Sequence, residues 1–253
     1  MFTAGDRERI RSELLEAARN DARLTGGAVT GSAAAGREDP WSDIDLGFGV
    51  DDGARIPEVL SDWSSRLYNR YEALHHVDVT AGAWIYRVFL LESTLQIDLA
   101  FAPAPEFGAR APTFRLVFGR AAELPHVPPP AAESLIGYGW LYALHVRSSL
   151  ARERLWQAEY MVSAMRDQVL ALACLRHGLP AREGRGTDLL PEDVRRPLED
   201  SLVRRIGAGE ISRAFRVATL GLLSETRKVD EGLAGRLEAQ LLELSAGAPS
   251  SSD

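Results

Sequence analysis

The sequence is poor in several residue types, and each shortage excludes a class of protein. Its 253 residues include one cysteine, Cys174, so no disulfide can form within the chain. The longest nearly apolar stretch, residues 135–146, is too short for a membrane span, which needs about 20 residues. The N-terminal residues lack an apolar signal core. We therefore expect a cytoplasmic protein with no membrane partner.

Lysine is almost absent, and the basic residues are scattered. Lys228 is the only lysine among 29 basic residues, so any phosphate-binding lysine has to be this one. The formal net charge is −7, and no run of Lys or Arg is longer than two. Because a long nucleic acid favours a basic stripe, no long nucleic acid is expected as a partner.

The remaining composition, 45% apolar and 26% charged, is typical of a globular chain with a core. Apolar spacing predicts a mixed α/β half, with helices at 6–20 and 55–72 and strands at 28–30, 44–48, 74–80, 84–91, 95–101 and, as a short edge strand, 114–118. Prolines cluster from residue 103 to residue 130, and we place a domain boundary near residue 130. Beyond it the pattern predicts only helices, at 132–150, 154–177, 191–206, 209–226 and 229–244.

Three aspartates occur in strand-like surroundings. Asp43 and Asp45 alternate with apolar residues, so both side chains are expected on one face of a half-buried strand. Two like charges at this spacing are unfavourable unless a cation neutralises them, and such oxygen ligands suit Mg²⁺. Asp98 is a lone charge inside the apolar run 95–101. If the two strands are neighbours, the three acids converge on one site.

A candidate phosphate-binding turn precedes these acids. Gly31 and Ser32 follow a short strand and open a predicted helix at residues 33–35. The start of a helix offers unpaired N–H groups and a positive dipole to phosphate, and glycine permits close approach of the backbone. A phosphate cradle near a pair of metal-binding carboxylates describes a nucleoside-triphosphate site.

This arrangement of Gly31-Ser32, ten residues, Asp43-x-Asp45 and a later Asp98 resembles the nucleotidyltransferase superfamily of the DNA polymerase β type. It looks most like the antibiotic nucleotidyltransferases, which adenylylate aminoglycosides or lincosamides. The resemblance implies that Gly31 and Ser32 bind the triphosphate and that Asp43 and Asp45 bind two Mg²⁺ ions. It implies that Asp98 binds metal or acts as the base.

The sequence pattern and the resemblance agree on a fold and a domain organisation. The expected fold class is α+β, with a mixed-sheet nucleotidyltransferase domain at 1–130 and a helical bundle that binds substrate at 131–246. A flexible tail is expected at 247–253.

A second candidate base lies in the helical half. In some antibiotic nucleotidyltransferases, a glutamate of the helical domain takes the proton from the substrate hydroxyl. Glu159 lies three residues before Val162, on or beside the predicted buried face of its helix, and is our preferred base, with Asp98 as the alternative. A solvated or arginine-paired glutamate is the competing interpretation. Trp156 and Tyr160 of the same helix are interpreted as interhelical core, with a substrate cage as the alternative.

The expected function is Mg²⁺-dependent transfer of a nucleoside monophosphate, with ATP as the expected donor, to a hydroxyl of a small molecule. That acceptor is an antibiotic or an endogenous metabolite. Residues 131–253 carry a net charge of only −1, which disfavours a polycationic aminoglycoside. Two alternatives stay open: an antitoxin-like enzyme that adenylylates a protein partner, and an inactive nucleotide-binding homologue.

Overall fold

A computed structural model describes residues 1–51 and 54–246. The predicted flexible tail, 247–253, lies outside the described residues. The chain divides into two compact units, one from Met1 to Val127 and the other from Pro128 onward. Each unit is described by itself.

The first unit is built on a mixed six-stranded sheet, as far as the structure describes it. Strand β2 pairs in parallel with β5, and the other neighbours are antiparallel. The sheet order is β3-β4-β5-β2-β1-β6, for strands β1 (Leu24–Thr30), β2 (Ile44–Val50), β3 (Ala73–Ala81), β4 (Trp84–Leu91), β5 (Gln96–Pro103) and β6 (Phe114–Gly119). The predicted α+β class is confirmed, and β6 is an edge strand as expected.

Two amphipathic helices cover one face of this sheet. Helix α1 (Ala4–Arg19) begins at a capping box, in which the Thr3 hydroxyl accepts from the Asp6 N–H at 3.1 Å. Helix α3 (Ile56–Tyr71) places Trp63 against Phe48 of β2, with ring centroids 5.1 Å apart. Both helices contribute to one apolar core on this face of the sheet.

Strand β2 is more buried than its alternating sequence predicts. The strand begins at Ile44, so Asp43 precedes it, and the expectation of a half-buried strand was wrong. The reason is that Phe107, which follows a 3₁₀ turn after β5, packs over the glycines at positions 47 and 49. A methyl group on Gly49 would come within 2.9 Å of the Phe107 ring. The covered end of the strand is therefore the one distant from Asp45.

The second unit consists of helices over its described residues: α4 (Ala132–Ala151), α5 (Leu155–Arg176), α6 (Glu192–Glu199), α7 (Ala208–Val229) and α8 (Glu231–Ser245). Cys174 is buried in this unit. The side chain of Glu225 is also buried, and it pairs with Arg176 at 3.0 Å and with Lys228 at 2.7 Å. None of the described helices has the length and hydropathy required to cross a bilayer.

The helix predicted at 191–206 is shorter than its sequence pattern suggests. It ends at Glu199, and the following residues form turns. In the turns that follow the helix, Arg213 of α7 donates to the backbone carbonyls of Asp200 and, at 2.9 Å, Leu202. These carbonyls gain a partner outside the helix, which local spacing does not reveal.

Candidate active site

The register between β2 and β5 brings the three predicted acids together. Asp45 lies directly opposite Asp98 on the parallel neighbour, and Asp43 immediately precedes β2. One carboxylate oxygen from each of the three side chains lies within 4.8 Å of the others, and all three residues are half-buried. We call the side of the sheet that bears Asp45 and Asp98 the carboxylate face.

A glutamine that the sequence analysis missed joins two of these acids. The side-chain amide of Gln96 donates to Asp98 at 2.9 Å and to Asp43 at 3.3 Å. Gln96 precedes Asp98 by two residues, so both side chains leave the same face of β5. That spacing was the signal available in the sequence. The two hydrogen bonds show that Gln96 orients both carboxylates.

The electrostatics of the cluster favour a bound cation. Burial raises the pKa of Asp98 to about 6, the hydrogen bond from Gln96 opposes this rise, and the charge of Asp43 adds to it. Three carboxylates at this separation repel one another when all are ionised. Their oxygens are hard ligands of the kind that Mg²⁺ prefers, so the donor set fits a divalent metal.

The predicted phosphate-binding turn lies directly against this cluster. Gly31 has a φ of +62°, and a methyl group on it would overlap the Asp45 carboxylate. The Ser32 hydroxyl is buried and has no hydrogen-bond partner within the described residues. Helix α2 (Gly31–Ala34) is a single turn, so the dipole contribution expected from a longer helix is small.

Helix α1 holds the loop that joins this turn to Asp43. Arg7, which is buried, donates to two backbone carbonyls of residues 37–42, at 2.6 and 3.0 Å. Arg11 donates to the Glu38 carboxylate of the same loop at 2.6 Å. Charge-assisted bonds of this kind are short and directional, so they fix the approach of the chain to Asp43. None of these residues stands out in the sequence.

In the helical unit, Glu159 is half-buried and accepts a hydrogen bond from the Ser163 hydroxyl at 2.7 Å. Trp156 and Tyr160 are 75% and 66% exposed, so their interpretation as interhelical core was wrong. Helix α5 has apolar residues on more than one side, and spacing alone does not decide which side faces the core. The role of Glu159 as a base stays a prediction.

Comparisons with known proteins add little to this geometry. No protein-family model matches the sequence. No curated protein matches it either. Among solved structures, the chain is similar to an aminoglycoside 6-adenyltransferase from Bacillus subtilis, at 14% identity and a TM-score of 0.43, over 96% of this chain and 99% of that one. So distant a likeness assigns no activity.

Proposed function

We propose that the protein is a divalent-metal-dependent nucleotidyltransferase that moves a nucleoside monophosphate, AMP from ATP, to a hydroxyl of a small molecule. The observation that carries this proposal is the convergence of Asp43, Asp45 and Asp98 within 4.8 Å, beside Gly31. A metal-binding acid cluster against a glycine turn suits a substrate that carries both phosphates and metal.

Each of these residues has a task in the proposed reaction. Asp43, Asp45 and Asp98 hold Mg²⁺, which when bound stabilises the negative charge that develops on the phosphates. Gly31 admits the triphosphate close to the backbone, and the Ser32 hydroxyl supplies a donor that the described residues leave unused. The acceptor oxygen bonds to the α-phosphorus, the bond between that phosphorus and the α,β-bridging oxygen breaks, and pyrophosphate leaves.

The acceptor hydroxyl loses its proton to a carboxylate of the chain. Glu159 is our preferred base, because its hydrogen bond from Ser163 fixes the carboxylate while leaving it further acceptor capacity. Asp98 is the alternative, since it belongs to the cluster itself. A positioned base contributes about 10²- to 10⁴-fold to turnover.

The direct test is pyrophosphate release from ATP and the other nucleoside triphosphates, with Mg²⁺ and a panel of hydroxyl-bearing antibiotics and metabolites. Asp45→Asn keeps the size of the side chain and removes its charge, so we expect activity to fall at least 10³-fold with no loss of the fold. Glu92→Gln, at an exposed turn of the same unit, is the matched control and should leave activity unchanged.

The same assay separates the alternatives. If labelled AMP is transferred to a protein and to none of the small molecules in the panel, the result would favour the antitoxin-like activity. Nucleotide binding by calorimetry without any transfer would favour an inactive homologue. Full retention of Mg²⁺-dependent transfer by Asp45→Asn would contradict the metal assignment.

A further inference from the structure

The carboxylate face extends past the acids onto two more strands. Val88 of β4 lies opposite Asp98, and Val77 of β3 lies opposite Val88. Two residues along each strand, Leu90 lies opposite Gln96, and His75 lies opposite Leu90. Because paired residues share a sheet face, these four side chains stand on the same side as the carboxylates.

This extension is exposed and nearly free of charge. Val77 and Leu90 are 56% and 49% exposed, and together with His75, Val88 and Gln96 they line a groove of about 160 Å³. The charged side chains of β3 and β4 are one aspartate and one arginine, at positions 78 and 87. They pair with each other at 2.6 Å on the opposite face of the sheet. The groove therefore offers no carboxylate of its own strands to a cationic ligand.

The position of the groove relative to the proposed reaction follows from the strand order. Gly31 and Ser32 follow β1, which is the neighbour of β2 on one side, whereas β5 and then β4 lie on the other side. If the triphosphate lies at Gly31, as the proposed function requires, the side of Asp98 that faces Val88 is left for the acceptor. Gln96 belongs to both the acid cluster and the groove lining, so the two are continuous.

We infer that this groove binds the apolar body of the acceptor, which is a weakly charged molecule that presents its hydroxyl to the acid cluster. The inference rests on the proposed function for the orientation of the acceptor. Its physical basis is that exposed valine and leucine gain free energy when an apolar group removes them from water. A polycationic acceptor would lose hydration here without gaining a counter-ion from the groove.

The test uses two glucosides that share the same sugar and differ in their apolar group, methyl and hexyl β-D-glucoside, both below micellar concentrations. A third probe, 2-deoxystreptamine, is cationic. Binding to the full chain is measured by calorimetry and by saturation-transfer NMR, with Mg²⁺ and a non-hydrolysable ATP analogue. We expect the hexyl glucoside to bind at least tenfold more tightly than the methyl glucoside. We expect 2-deoxystreptamine to bind more weakly than the hexyl glucoside.

The double variant Val77→Thr/Val88→Thr keeps the shape and strand propensity of both side chains, so it preserves the fold. It should reduce the hexyl-to-methyl affinity ratio at least fivefold, with unchanged binding of the ATP analogue. Leu116→Thr is the matched control, since Leu116 is 42% exposed on β6 at the opposite edge of the sheet. It should leave the ratio unchanged.

Several outcomes would overturn the inference, and they differ from failure of the proposed function. Equal affinity for the two glucosides, or preference for 2-deoxystreptamine, while the ATP analogue binds, rejects the groove and leaves the nucleotidyltransferase proposal standing. A hexyl preference without any nucleotide binding rejects the proposed function and, with it, the acceptor role. A change from dimer to monomer in sedimentation of the double variant would assign the groove to a second copy of the chain.

Discussion

Replacing Asp98 by asparagine should stabilise the metal-free protein while it destroys the proposed activity. In the metal-free state, burial and the charge of Asp43 oppose ionisation of Asp98 and raise its pKa to about 6 from an ordinary value of 3.8. Asparagine removes this charge and keeps an oxygen that accepts the Gln96 hydrogen bond of 2.9 Å. The substitution therefore relieves repulsion without leaving Gln96 unpaired.

The magnitude follows from the pKa. A change of about two pKa units corresponds to about 3 kcal/mol, since one unit is about 1.4 kcal/mol. Asp98 is half-buried, and solvent screening reduces the expected gain to about 1–2 kcal/mol. In a chain of this size, that gain raises the melting temperature by about 3–6 °C.

The pH dependence has a definite sign. Because the pKa of Asp98 is higher in the folded state, the folded protein binds more protons than the unfolded chain between about pH 4 and pH 6. The contribution of Asp98 to the stability of the wild-type protein therefore falls as the pH rises through this window and then levels off. Above pH 6 the variant should be more stable than the wild type, and at pH 4 the difference should disappear.

The assay is thermal unfolding in EDTA at pH 4 and pH 8, combined with hydrogen exchange of the β5 amides. The exchange measurement is needed because the two compact units need not unfold together. Mg²⁺ should stabilise the wild type by mass action and the variant much less, so the order of stability should reverse at high Mg²⁺. Glu92→Gln serves as the exposed control.

Two results would refute this reasoning. If Asp98→Asn is less stable than the wild type at pH 8 in EDTA, the cluster is not under electrostatic strain. If its gain is as large at pH 4 as at pH 8, the gain does not come from loss of a charge.

Two further predictions concern the proposed phosphate turn and the base. Gly31→Ala should abolish binding of MgATP, because the added methyl group would displace Asp45. Gly36 has nearly the same φ (+64°) and open space around its Cβ position, so Gly36→Ala should retain MgATP binding in the same calorimetric titration. Equal losses would mean that backbone strain is the cause. Glu159→Gln should slow turnover about 10²- to 10⁴-fold with no change in Mg²⁺ dependence or nucleotide affinity. The exposed control Glu133→Gln should leave turnover unchanged. Unchanged turnover would assign the base to Asp98.

The sequence predicts the elements of the acid cluster better than their arrangement. Asp45 and Asp98 were recognisable as charges in apolar strands, because that pattern is local. Their direct opposition depends on the register of two parallel strands that are separated by α3, β3 and β4, and a one-residue slip would turn one carboxylate to the core face. The sequence therefore supports convergence only as a conditional statement.

Interactions between distant side chains and backbone were the main omissions. Arg213 of the next helix binds backbone carbonyls in the turns after α6, and Arg7 of α1 binds backbone carbonyls of the loop before Asp43. In a chain with so many arginines, nothing local distinguishes an arginine that holds a loop from one that is solvated. The exposure of Trp156 was missed for a related reason, since a helix that is apolar on several sides has no unique buried face.

The omissions in the first unit, Gln96 and Arg7, lie around the acids that the sequence did identify, and this has a physical basis. A metal site requires its carboxylates to be held close together, which is unfavourable in the absence of the cation. The neighbouring structure has to supply that constraint, and here Gln96 bridges two acids while α1 fixes the loop before Asp43. Such supporting residues need only the correct geometry, so many residue types can serve. Chemistry restricts the residue types at the acids themselves, and a reader of the sequence can recognise them for that reason.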